Sequence, residues 1–154
     1  MSTPDRPAPL PGHAPHRATV TPFIIVENAQ SVVDFAVAVF DAVVHEPLHR
    51  SDGTLWNAEL RIGRSSLMVA DPQPGMRQTA FLYVHVADCD AAYRRAIEAG
   101  AEPVMEPADQ FYGDRNAGVR DAAGNLWWIA TFQEAVPHDE IVRRARELER
   151  QRGG

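Results

Sequence analysis

The chain contains no lysine: all fifteen basic residues are arginine, set against twenty-one carboxylates, for a formal net charge of −6 over 154 residues. Without lysine there is no Schiff-base or pyridoxal-phosphate chemistry and no Gly-Lys-Ser/Thr phosphate loop. Cysteine is almost absent as well. Cys89 alone cannot form an internal disulfide, which fits a reducing compartment, and it reads as a small apolar thiol near a helix start. No apolar run approaches about 18 residues, so no membrane span is expected. The first residues show no signal-peptide pattern, and the expected location is cytoplasmic.

Charge is unevenly placed. Residues 1–20 and residues 138–154 each carry +1, which leaves −8 on residues 21–137. That acidity argues against a nucleic-acid partner, which needs a basic footprint, and favours cationic ones. The arginine and alanine bias suggests a GC-rich bacterial genome. The hydrophobic content of 45% is enough for a packed core at this length.

Six of the twelve prolines lie in the first 22 residues, so residues 1–18 read as a disordered or polyproline-like tail. Beyond it the chain repeats with a period of about 60 residues. Val20–Val26 is strand-like; Asn28 is a candidate N-cap for a helix over Ala29–Phe40, with Val32, Phe35, Ala36, Val39 and Phe40 on one face. Ala80–Val86 repeats the strand; Asp88 caps a second helix, which Gly100 ends. Each unit closes with a weak strand (Val44–His49, Glu102–Met105) and a hairpin: Trp56–Ile62 with Ser66–Ala70, and Ala117–Arg120 with Leu126–Thr131. The predicted architecture is α+β. Two paired βαβββ modules, about 20–72 and 79–132, form a cupped, barrel-like mixed sheet within one domain, 19–136. An amphipathic helix follows in 137–154, striped by Ile141, Val142, Ala145 and Leu148, which must pack on its own domain or on a second subunit.

This duplicated unit resembles the vicinal oxygen chelate superfamily, which includes glyoxalase I, extradiol dioxygenases, fosfomycin-resistance enzymes and bleomycin-binding proteins. Val26-Glu27-Asn28-Ala29, Ala58 to Gly63, Asp109-Gln110-Phe111-Tyr112-Gly113-Asp114-Arg115, Val119-Arg120-Asp121 and Gly124-Asn125-Leu126-Trp127 are similar to its PhnB-like branch. The resemblance implies a homodimer. It also implies a metal site with ligands from the first and last strand of each unit, usually His or Gln, Glu, His and Glu. The corresponding positions here are Thr21, Leu67 (or Met68, if a bulge shifts the register), Phe81 and Trp128. None is a normal divalent-metal ligand, so no metal and no other cofactor is expected.

Strand alternation then gives the cavity lining. If Thr21 and Phe81 face inward, so do Phe23, Ile25, Tyr83 and His85, joined by Trp128 and Ala130. The set reads either as an aromatic cup with polar handles or as barrel core. Asn57, Glu59 and Arg61 share one strand face, which looks either into the cup or out to solvent. Tyr112 to Arg115 reads as a loop at the cavity mouth, with Arg115 either gripping a ligand anion or clamping the loop. Three functions fit: a metal-independent binder of an aromatic or amphipathic small molecule, of the antibiotic- or metabolite-sequestering kind; a metal-independent isomerase or lyase using His85 or Glu59 as base; and a metal-dependent lyase or dioxygenase with ligands relocated to His45, Glu59 and His85.

Overall fold

A computed structural model describes residues 11–13 and 18–153; most of the 1–18 tail, His16 included, lies outside the described residues. Two copies of the expected unit follow in order: β1 (Phe23–Ile25), α1 (Ala29–Phe40), β2 (Val43–His49), β3 (Leu55–Ile62), β4 (Ser65–Ala70), then β5 (Phe81–His85), α2 (Cys89–Glu98), β6 (Glu102–Asp109), β7 (Asp114–Arg120), β8 (Leu126–Phe132), with α3 (His138–Arg152) at the end. Each unit makes a four-stranded mixed sheet, ordered β1-β4-β3-β2 and β5-β8-β7-β6, whose first strand runs parallel to its last. The α+β class and the paired, cupped modules are as the sequence predicts.

The helices form for the expected reasons, with one difference. The α1 face carrying Val32, Phe35, Ala36, Val39 and Phe40 is buried. Asn28, however, is not its side-chain cap. Its backbone is left-handed (φ 52), and it makes no side-chain cap bond. The Ala29 amide donates instead to Asp71 Oδ1 at 3.3 Å, a carboxylate from just beyond β4. Asp88 does cap α2, accepting from the Ala91 amide at 3.1 Å. Gly100, at φ 96, lets the Ala101 amide return to the Ala96 carbonyl and close the helix.

The modules meet through their helices. Ile24, Ala58, Leu60 and Val69 share one core with α1, and Ala117, Val119, Trp127 and Ile129 continue it beside α2. Trp127 crosses the joint: its ring lies 5.5 Å from Phe35 and 5.3 Å from Phe40, both on α1. Arg95 of α2 donates to the Val39 carbonyl at the end of α1. No strand of one module pairs with a strand of the other among the described residues; a single bridge, Ile25 to Gln78, joins β1 to the segment that precedes β5. The opposite face of each sheet is therefore left without a covering helix.

The last helix is only lightly seated. Ile141, Val142, Ala145 and Leu148 are half-buried, and no residue of α3 is fully buried. Its anchor is Arg144, which donates to the Phe111 carbonyl at 2.9 Å and to Glu140 at 3.0 Å. Hydrogen bonds from Arg143 and Arg144 pull the Glu140 carboxyl from its ordinary 4.5 down to about 2. A depressed carboxylate pKa stabilises above the unfolded value and loses that contribution as pH falls through the folded one. The α3 anchor should hold at pH 6 and loosen between about pH 4.5 and 2, seen as lower amide protection factors (exchange relative to the intrinsic rate at each pH) in 140–150 while β7 and β8 stay protected.

Candidate functional site

The uncovered face of the second sheet gathers most of the predicted site. Register places Phe81 opposite Leu126, Tyr83 opposite Trp128 and His85 opposite Ala130, and β7 continues these rows with Gly118 beside Trp128 and Asn116 beside Ala130. Phe81 stacks on Trp128 with ring centroids 5.3 Å apart and planes at 28°, and Tyr83 leans on His85 at 5.2 Å. Phe81 remains 60% exposed and Tyr83 43%. Gly118 makes room for this arrangement, because a Cβ there would collide with Cζ3, Cη2 and Cε3 of Trp128. The indole thus lies flat across the strand and forms a floor.

A polar cluster borders the aromatics. The Tyr83 hydroxyl donates to Asp114 Oδ2 at 2.5 Å. Asn116 Nδ2 donates to the Tyr83 hydroxyl at 3.2 Å and to that of Tyr112 at 2.6 Å. Burial, reinforced by the bond to Asp114, holds the Tyr83 phenol far above the usual tyrosine range, so it stays protonated. Asp114 and Asn116 were not among the expected site residues. Their signal was in β7 itself, where Asp114, Asn116 and Gly118 alternate with Arg115, Ala117 and Val119.

Of the two readings of Arg115, its contacts are those of the clamp and not of the anion grip. It is not at the cavity but on the opposite face of β7, where its guanidinium grips both oxygens of Asp90 (2.7 and 2.9 Å) and reaches Asp109 at 3.2 Å. The pairing lowers the Asp90 carboxyl, chiefly through the Arg115 hydrogen bonds. The guanidinium therefore ties α2 to the β6–β7 hairpin. The expected loop is shorter too: Phe111 to Gly113 turn, while Asp114 and Arg115 already belong to β7. Gly113, at φ 102, is packed so closely on the Glu134 carbonyl that a side chain would collide with it.

His85 is exposed, touches the Tyr83 ring and has no hydrogen-bond partner among the described residues. Nothing therefore fixes its tautomer. Cys89 is buried, donates to the Ile129 carbonyl at 3.3 Å, and has its thiol pushed up to about 11 by burial, which makes it an inert structural residue.

The first module supplies a parallel row. Ala58 and Leu60 pack on the helix side, so Asn57, Glu59 and Arg61 take the open face, with Phe23, Met68, Glu59 and His45 in cross-strand register. Glu59 is only 5% exposed. Thr21 is half-buried just before β1, where the Met68 amide bonds the Pro22 carbonyl. No aromatic contact joins Phe23 to Phe81, Tyr83 or Trp128 among the described residues, so one chain presents two separate patches. Between the modules runs a groove of about 990 Å³, bounded by Pro22, Leu67 and Phe40 on one side and by the outer edge of β5 on the other.

The positions where the superfamily holds its metal can now be assigned by face. Leu67 is buried opposite Leu60, so the β4 position on the open face is Met68. Thr21, Met68, Phe81 and Trp128 offer a hydroxyl, a thioether and two aromatic rings, which do not fit a divalent ion. Among the described residues no group of three or more His, Cys, Asp or Glu side chains is gathered where it could hold one. No helix among them is long and apolar enough to cross a membrane.

Two βαβββ modules with uncovered inner sheet faces define a glyoxalase-like protein class. Comparison with known proteins makes the assignment specific: residues 6–129 match the Glyoxalase/Bleomycin resistance protein/Dioxygenase superfamily, and the chain belongs to that family. Similar proteins include "Uncharacterized protein Mb0911c" of Mycobacterium bovis, 34% identical over 134 residues, covering 79% of this chain and 88% of the relative. Among solved structures, TioX from Micromonospora sp. ML1 superposes with a TM-score of 0.61 at 25% identity, over 78% of this chain and all of that one. The PhnB protein of Bacillus cereus shares the fold, with a TM-score of 0.60 at 16% identity, over 74% of this chain and 99% of that one.

Proposed function

We propose that this is a metal-independent small-molecule-binding protein, cytoplasmic and homodimeric, which stacks an aromatic or amphipathic ligand on the open face of its second sheet. The carrying observation is the stack of an exposed Phe81 ring on a half-buried Trp128 indole, seated on Gly118. The aromatic surface this pair leaves in water costs hydrophobic free energy that a planar ligand would recover. The acidity of residues 21–137 favours a cationic or amphipathic ligand. The second copy belongs to the same proposal: open faces on both sheets and the half-covered stripe of α3 supply apolar surface for a partner.

Proflavine, planar and cationic, is a suitable probe. Wild-type tryptophan fluorescence should be quenched saturably. In Trp128→Phe most of the quenching should vanish while calorimetry still detects binding, because a ring remains and the emitter does not. Phe81→Ala should weaken binding about tenfold, the loss of one stacking partner and its area. An unsaturable response from proflavine and from a wider set of planar aromatics would remove the proposal.

A further inference from the structure

A sheet ends in two edge strands, and an edge left open invites pairing with another segment. Here the edges are β1 and β2 in the first sheet, β5 and β6 in the second. Three of them are blunted. At the β1 edge Ile25 exchanges both backbone bonds with Gln78, at 2.9 and 2.8 Å. β2 carries Pro47, β6 carries Pro103 and Pro107, and the pairing register of each slips beside these residues. Proline offers no N–H, and a bulge breaks the regular spacing that a new strand would need.

β5 has none of these devices. Phe81-Leu82-Tyr83-Val84-His85 contains no proline, and its register with β8 is unbroken. The Leu126 amide bonds the Ala80 carbonyl and the Val86 amide bonds the Ala130 carbonyl, so the even-numbered residues of this strand serve β8. The amides and carbonyls of Phe81, Tyr83 and His85 therefore point the other way, where no backbone partner meets them among the described residues. Tyr83 and His85 border the groove between the modules, which Ala18, Val20 and Pro22 also line. Val20 is 79% exposed there.

The sequence leading into that groove matches the open edge. In Arg6-Pro7-Ala8-Pro9-Leu10-Pro11 the prolines alternate, so the N–H groups fall on Arg6, Ala8 and Leu10. Three donors at every second position, spanning about 13 Å when extended, match the three outward residues of β5. The prolines take the positions whose amides would face away from β5, where an edge strand tolerates them, and they blunt the new edge in turn. Proline also biases itself and the residue before it towards extended backbone. Gly12, at φ 78, turns the chain just after Pro11. From Leu10 to Ala18 the chain can reach about 27 Å, and Ala18 already lies in the groove.

We propose that residues 6–10 pair with the outer edge of β5 in the same chain, with Arg6, Ala8 and Leu10 bonding the backbone of Phe81, Tyr83 and His85. The second sheet thereby gains a fifth strand, and its last open edge is closed.

Amide hydrogen exchange, read residue by residue by NMR on the full chain, tests the pairing. The Tyr83 and His85 amides should be protected at least about tenfold more than in a variant lacking residues 2–11. Ala8→Pro and Leu10→Pro each remove one bonding N–H and should lose that protection. Pro9→Ala changes an outward position and should keep it within about twofold. The Ile129 amide, inside the sheet, reports that each variant is folded. Protection at Tyr83 and His85 should also be unchanged on dilution. Unprotected Tyr83 and His85 amides in the full chain would overturn the proposal, as would equal effects of Leu10→Pro and Pro9→Ala. Protection that survives the deletion, or that fades on dilution, would overturn it too, because another segment or a second copy would then cover the edge.

Discussion

Gly118→Val should abolish proflavine binding, lowering affinity at least about a hundredfold, while leaving a folded protein. The backbone at Gly118 needs no left-handed conformation; it is the space above it that is taken, by Cζ3, Cη2 and Cε3 of Trp128. Two added methyl groups and a Cβ would force the indole off the strand and unstack it from Phe81. Overpacking of this kind costs about 2 kcal/mol, which for a chain of this size is a Tm decrease of about 6 °C. A double variant, Gly118→Val with Trp128→Ala, removes the collision and should regain much of the stability but none of the binding. The pair separates strain from function in one cycle. Wild-type proflavine affinity in Gly118→Val would show that Trp128 is not the platform.

Asp121→Ala should be the most destabilising single change, by about 4 kcal/mol. Its carboxylate, buried at the β7–β8 turn, accepts four hydrogen bonds: the Ala123 and Asn125 amides at 3.0 and 2.9 Å, and Asn125 Nδ2 and Trp127 Nε1, each at 2.9 Å. Alanine would leave the indole N–H of a fully buried tryptophan without a partner. Against a total stability of about 5–15 kcal/mol, that is a quarter or more of the whole. Urea unfolding followed by tryptophan emission measures it directly. Asp121→Asn, which keeps the shape and one acceptor oxygen, should lose about half as much. A loss under about 1 kcal/mol in the alanine variant would mean that water or a rearranged turn replaces the carboxylate.

The fold was legible because its signals are local. The α1 face, the Asp88 cap, Gly100 and the closing hairpins are each written within a dozen or so residues, and the repeat of the pattern doubles them. The rows Phe81-Tyr83-His85 and Trp128-Ala130 followed from alternation alone. What stayed hidden depends on distant partners. Asn28 loses its capping role to Asp71, 42 residues from the helix amide it serves. Arg115 is claimed by Asp90, 25 residues away, which no reading of the Tyr112–Arg115 stretch reveals. Asp114 and Asn116 find Tyr83 across 31 and 33 residues. The face of Glu59 was undecidable until α1 was seen to take Ala58 and Leu60.

Trp127 gives the duplication a different meaning. It is a strand residue of one repeat whose ring rests on two phenylalanines from the helix of the other. Neither repeat can bury its own aromatic surface if the two are separated. An ancestral unit of about sixty residues with this surface would have had to self-associate; once fused, the halves surrendered independent existence for a common core. The next residue along, Trp128, faces the opposite way. One peptide bond therefore links the seam that joins the repeats to the surface that faces outward.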